Sequence, residues 1–352
     1  MKQRGTEEGR RILGVFPSYV PKEILWAAGL LPVEIWDPPL ETSEANAHLQ
    51  PYICSVVKLG MELILQGRTD SVDAFLFPHT CDSLQNMASV ARDYMGLRQN
   101  CHFFYHPKAP YSEVSKAFLR HELETLAAEF APGENGMPQE LLAPWVQKGR
   151  ALQEKLAQLY DLRAKGDLKA KNAQFYETVR LGEYLLPDDY LAQLVSLRKT
   201  ETEVPQEGPS ILLSGVLPCP KGVLDLLDDL EVRVGDDDLL TCGRRLGIPM
   251  SVEEDPFSTL VESYFSMPPC STRGHSIQER LDHLLMKAKR CQAQGVLFLM
   301  IKFCEPELFD VPQLVEGLKK EGLSTLVLDC EANESVSGQM STRIEAFVET
   351  IT

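Results

Sequence analysis

The sequence predicts two parallel-sheet α/β domains of the Rossmann-like (flavodoxin-like) kind, with a helical segment between them. Three observations predict it. The chain has 352 residues, more than one ordinary domain and enough for two. Strand-sized apolar runs alternate with helix-sized segments in both halves. The second half also repeats the opening pattern of the first: Ile12-Leu13-Gly14-Val15-Phe16-Pro17 is matched by Leu213-Ser214-Gly215-Val216-Leu217-Pro218.

In the first domain, residues 1–144, an apolar run over 11–17 reads as a buried strand ending at a proline. Pro21 suits the first turn of a helix over 22–29. A second strand covers 31–36, and a loop with Pro38 and Pro39 leads to Cys54 and a helix over 55–66. A third strand spans 72–78, with a helix from Asp82 onward. Residues 145–204 form a helical connector, because Leu152, Leu156, Leu159 and Tyr160 recur at helical spacing. Residues 200–209 have the composition of a linker.

The second domain, residues 205–352, opens with a strand over 210–217 and a helix over 221–230. A short strand over 231–234, a helix over 276–294 and a strongly apolar strand over 295–303 follow. A helix over 312–320, a strand over 324–328 and a helix over 342–349 complete it.

Charge and composition narrow the function. There are 51 acidic residues against 35 Lys and Arg, for a net charge of −16, which disfavours nucleic acid and anionic membranes as partners. No stretch has the length and apolarity of a membrane span, and Met1–Glu8 lacks a signal core, so a cytoplasmic protein is expected. The nine cysteines include no CxxC, which argues against a zinc ribbon or a ferredoxin-like cluster motif.

Three cysteines stand where the predicted fold gives them chemistry. Cys81 and Cys304 each follow an apolar strand and precede a helix, at the carboxyl ends where open α/β sheets bind ligands. Cys54 immediately precedes a helix. Helix N-termini present unpaired N–H groups and a positive dipole end, which favour thiolates and sulfides. The three could hold a [4Fe–4S] cluster with one iron lacking a protein thiolate, or they could be ordinary packing cysteines. Cys101, Cys291 and Cys330 read as packing cysteines, and Cys219, between two prolines, is open. His79 is a candidate proton donor beside Cys81, and Arg343 a candidate for orienting a cofactor. Asp236, Asp237 and Asp238 read as a solvated loop, and Arg244 with Arg245 as a basic pair able to meet phosphates.

These motifs together resemble the 2-hydroxyacyl-CoA dehydratase and benzoyl-CoA reductase family of iron–sulfur proteins. The residues that carry the resemblance are Pro21-Lys22-Glu23-Ile24-Leu25-Trp26-Ala27-Ala28-Gly29-Leu30-Leu31-Pro32-Val33, Cys54 and Phe77-Pro78-His79-Thr80-Cys81-Asp82-Ser83. In the second half they are Gly235-Asp236-Asp237-Asp238, Lys302-Phe303-Cys304-Glu305-Pro306 and residues 338–345. The resemblance implies a [4Fe–4S] cluster on Cys54, Cys81 and Cys304, a homologous second subunit and an acyl-CoA substrate. It also implies a separate ATP-hydrolysing activator, and this chain has no GxxxxGK[ST] loop of its own to bind ATP. The reaction class implied is one-electron chemistry on a thioester, ending in dehydration or ring reduction. A related branch carries a double-cubane cluster. Here Cys219, Cys242 and Cys270 are the spare cysteines, but Thr272 stands where that branch has a ligand, so one cluster is expected. A non-catalytic electron-transfer or assembly subunit is the remaining alternative.

Overall fold

The computed structural model describes residues 9–133, 136–199, 208–248 and 255–352. Met1–Glu8 and most of the expected linker, residues 200–207, lie outside the described residues. The chain forms two compact units. The first comprises Met1–Glu154, Gly182–Tyr190 and Gly247–Met267, and the second Lys155–Leu181, Leu191–Leu246 and Pro268–Thr352.

The first unit holds β1 (Arg11–Val15), β2 (Leu30–Glu34), β3 (Ala74–Pro78) and β4 (Asn100–Phe104) in a parallel sheet ordered β2-β1-β3-β4. Its helices include α1 (Lys22–Ala27), α2 (Ser55–Leu65), α3 (Asp82–Asp93) and α4 (Glu113–Glu129). Buried strands of this kind have no alternation, because both faces are covered by helices. The core positions the two cysteine-led helices. Val57, Met61 and Ile64 of α2 and Leu84, Met87, Ala88 and Ala91 of α3 pack into one cluster with Phe16, Phe75 and Phe77. Phe16 and Phe77 stack with ring centroids 4.7 Å apart. Helix α2 needs Gly60 there, since a Cβ would strike the Phe16 ring.

A long helix, α5 (Gln139–Lys165), is followed by α6 (Asn172–Arg180) and α7 (Pro187–Arg198). The helical middle is thus shared out between the two units, with residues 155–181 in the second and 182–190 in the first.

The second unit repeats the sheet. Strands β5 (Ser210–Gly215), β6 (Arg233–Leu239), β7 (Gly295–Ile301) and β8 (Ser324–Cys330) run parallel in the order β6-β5-β7-β8. After α8 (Val223–Asp229), a helix α9 (Pro256–Phe265) returns to the first unit. Asp255 caps α9 by accepting from the Ser258 amide, and Pro256 opens it. Tyr264 of α9 donates to the Pro107 carbonyl at 2.8 Å, and Glu262 pairs with Lys116 of α4 at 3.0 Å. The second unit then continues with α10 (Ile277–Arg290), α11 (Glu305–Lys320) and α12 (Gly338–Ile351). Leu284 and Ala288 of α10 and Val311, Leu314 and Leu318 of α11 cover Val296, Phe298 and Met300 of β7.

Two expectations are corrected here. Asp236, Asp237 and Asp238 are not a solvated loop. They lie inside β6, with exposures of 0%, 0% and 2%. A run of aspartates tolerates burial only when each has partners, and each has. Asp236 meets Lys287 at 2.9 Å and also Arg290. Asp237 accepts from the Tyr160 hydroxyl at 2.7 Å and the Gly243 amide at 2.8 Å. Asp238 receives both Nε and Nη2 of Arg244, at 3.0 and 2.8 Å. The second correction follows from the first. Arg244 is wholly buried and committed to Asp238 and Glu307, so it is no phosphate-binding surface arginine.

Candidate active site

In each sheet the connections leave the first strand in opposite directions, so the crevice lies beyond the carboxyl ends of β1 and β3 in the first unit and of β5 and β7 in the second. Cys81 caps α3, the helix after β3, and Cys304 caps α11, the helix after β7. The two units therefore place a cysteine at the same step of the same topology. Cys54 caps α2. All three cysteines are half-buried.

The backbone fixes these positions. The Thr80 hydroxyl donates to the Pro17 carbonyl at 2.8 Å and accepts from the Ser18 amide at 3.0 Å, tying the segment after β1 to the one before Cys81. The loop that leads to Cys54 is pinned by Glu62 of α2. Its carboxylate accepts from the amides of Ser43 and Ala45, both at 2.9 Å, and from Gln66 at 2.7 Å. Burial opposes its ionisation, but these bonds win and hold it at about 2. In the second unit, Glu307 in the first turn of α11 binds Arg244, Arg280 and Ser271. Burial again opposes ionisation, and the two arginines overcome it and hold this carboxyl at about 2.

Electrostatically, burial raises the Cys81 thiol above its ordinary value. The amides of Leu84 and Ser83 and the charge of Lys108 act in the opposite sense, as expected at a helix N-terminus. Lys108 reaches this point by donating to the carbonyls of Thr80 at 3.0 Å and His79 at 3.4 Å. It is not among the residues that the sequence singles out, and no local motif marks it. It follows β4, and only the β3–β4 pairing brings it near.

His79 is held by its backbone amide, which donates to the Phe104 carbonyl at 2.8 Å, and its ring meets Tyr105 edge-on at 5.7 Å. Its Nε2 is 3.8 Å from Asp82. Arg343 is exposed on α12 and donates to the Val327 carbonyl of β8 at 2.7 Å. Cys54 and Cys81 belong to the first unit and Cys304 to the second. Among the described residues, no three His, Cys, Asp or Glu side chains are already gathered tightly enough to hold a metal ion.

Residues 17–351 match the family model of the 2-hydroxyglutaryl-CoA dehydratase D-component. The chain belongs to that family. It is 26% identical over 353 residues to the lactoyl-CoA dehydratase subunit beta of Anaerotignum propionicum, covering 97% of this chain and 92% of that one. It is 23% identical to the (R)-2-hydroxyglutaryl-CoA dehydratase subunit beta of Acidaminococcus fermentans, over 98% and 93% of the two chains. A benzoyl-CoA reductase subunit of Thauera aromatica is 25% identical, over 95% of this chain and 88% of that one. The relatives are subunits of multi-subunit enzymes, and this chain is an enzyme subunit of the same family with a partner subunit implied. No helix among the described residues is long and apolar enough to cross a membrane.

Proposed function

We propose that this chain is the iron–sulfur subunit of a 2-hydroxyacyl-CoA dehydratase or a benzoyl-CoA-type reductase, with Cys54, Cys81 and Cys304 as the ligands of one [4Fe–4S] cluster. The observation that carries the reading is the repeated placement of Cys81 and Cys304 as helix caps at the strand ends bordering the two sheet crevices. The donor set suits such a cluster. Three thiols at helix N-termini combine soft ligands with N–H groups that favour their anionic form. When bound, the cluster supplies low-potential single electrons for chemistry on an acyl-CoA thioester.

This chain's own residues then have defined tasks. The Leu84 and Ser83 amides and Lys108 stabilise the Cys81 thiolate. Thr80 and Glu62 hold the segments that present Cys81 and Cys54, and Glu307 holds the helix that Cys304 begins. His79, two residues before Cys81, is the group that carries a proton at that crevice. The reductant is a separate ATP-hydrolysing activator, and the partner is a homologous subunit.

A single cluster is preferred over a double cubane because Thr272, not a cysteine, stands two residues after Cys270, where the double-cubane branch has a further ligand.

The test is iron and sulfide analysis of anaerobically reconstituted protein, with each ligand cysteine changed in turn to Ala. Cys54→Ala, Cys81→Ala and Cys304→Ala should each lose or cripple the cluster, and Cys291→Ala should keep it. Full iron and an unchanged spectrum in all three would overturn the assignment. A change in the cluster's EPR signal on adding acyl-CoA thioesters separates a substrate-binding subunit from an electron carrier, which would show none.

A further inference from the structure

Cys219 and Cys330 take no part in the site just described, yet their sulfurs stand 2.6 Å apart, and both residues are buried. Cys219 lies in the segment that leaves β5, and Cys330 is the last residue of β8. Strand β7 separates β5 from β8 in the sheet, so the segment after β5 reaches across to the β8 side. Backbone bonds hold it there. The Lys221 amide donates to the Glu334 carbonyl at 2.8 Å, and the Val336 amide donates back to the Lys221 carbonyl at 3.2 Å. The Cys330 carbonyl accepts from the Lys302 amide at 3.0 Å, and its thiol donates to the Met300 carbonyl at 3.4 Å. The thiol pair therefore adjoins the turn that runs from β7 to Cys304.

Two thiols this close need little movement to reach bonding distance, about 2.05 Å between sulfurs. Their proximity favours an intramolecular bond over any external partner. Burial limits the oxidant to a small molecule.

We propose that Cys219 and Cys330 are a redox-active pair that hydrogen peroxide converts to a reversible disulfide, stapling the segment after β5 to the end of β8. One thiolate attacks a peroxide oxygen. The O–O bond breaks, the leaving hydroxide takes up the thiol's proton and departs as water, and a sulfenic acid remains. The second thiol attacks that sulfur, the S–S bond forms, the S–O bond breaks and a second water leaves. Two thiols are oxidised by two electrons and one peroxide is reduced. A dithiol reverses the step by thiol–disulfide exchange.

The test uses the full chain, purified anaerobically and titrated with hydrogen peroxide. It is then unfolded in iodoacetamide and mapped by peptide mass, which reports each cysteine separately. The expected product is a linked Cys219–Cys330 peptide, two hydrogens lighter than the separate peptides and restored by dithiothreitol. Cys219→Ser should abolish the link and leave a sulfenic acid at Cys330 that dimedone traps. Amide exchange around Lys221 and Lys302 should slow about tenfold in the oxidised protein. Recovery of both cysteines as alkylated thiols at peroxide excess overturns the proposal, as does their appearance as sulfonic acids or linked to other cysteines. A link formed without slower exchange overturns the staple.

Discussion

Replacing Glu307 by Gln tests whether the buried charges of the second unit hold the helix that Cys304 begins. Glu307, Arg244 and Arg280 are each at most 1% exposed. Arg280 meets Glu307 at 3.0 Å and Asp310 at 2.7 Å, while its distance to Asp238 is 3.6 Å. Without the Glu307 charge, two buried guanidinium groups lose their shared counterion, and breaking a buried pair from one side costs about 3–5 kcal/mol. For a unit of this size that lowers the melting temperature by roughly 6–20 °C. The pH dependence gives a second reading. A carboxyl held at about 2 instead of its ordinary 4.5 stabilises the folded state by about 3 kcal/mol at neutral pH. Because its folded value is depressed, that contribution is complete above pH 4.5 and is lost as pH falls towards 2. Urea titrations followed by far-UV circular dichroism at pH 7, 5 and 3 measure both. The gap between native protein and Glu307→Gln should be several kcal/mol at pH 7 and should narrow at pH 3. A gap below about 1 kcal/mol at pH 7, or one that does not change with pH, would refute the reasoning.

Other substitutions and conditions probe the rest of the scaffold. Thr80→Val should cost about 1–3 kcal/mol in a urea titration, because it strands the Ser18 amide in the interior; a neutral result would show that this bond does not hold the Cys81 segment. Gly215→Ala should prevent stable folding of the second unit, since φ is +144° there and a Cβ would collide with the Leu299 carbonyl; wild-type thermal stability would contradict this. Oxygen should bleach the proposed cluster while far-UV circular dichroism stays near that of the native protein, because each unit has its own apolar core; global unfolding on bleaching would count against it.

The parallel sheets are legible in the sequence because their strands are continuous apolar runs, and β7, with every residue buried, is the plainest. The cysteine caps are legible because each stands between a strand or loop and a helical pattern. Strand β4 is not: it reads Asn-Cys-His-Phe-Phe and lies at the sheet edge, mostly half-exposed, so it lacks the apolar run. Strand β6 is longer than its apolar pattern suggests, because three aspartates interrupt that pattern. Their partners, Tyr160, Arg244, Lys287 and Arg290, stand elsewhere in the sequence and become visible only in the fold. Lys108 is hidden for the same reason.

The return of α9 to the first unit sets the order in which the chain can be completed during synthesis. Translation delivers residues at about 5–20 per second, and N-terminal domains usually close first. Here the first unit includes Gly247–Met267, so it lacks its last helix until β5 and β6 of the second unit have been made. His106 and Lys116, which receive Tyr264 and Glu262 of that helix, wait through the interval. A ribosome-bound nascent chain ending before Pro256 therefore carries an unfinished amino-terminal half, exposed to chaperones, and the release of one later helix closes it.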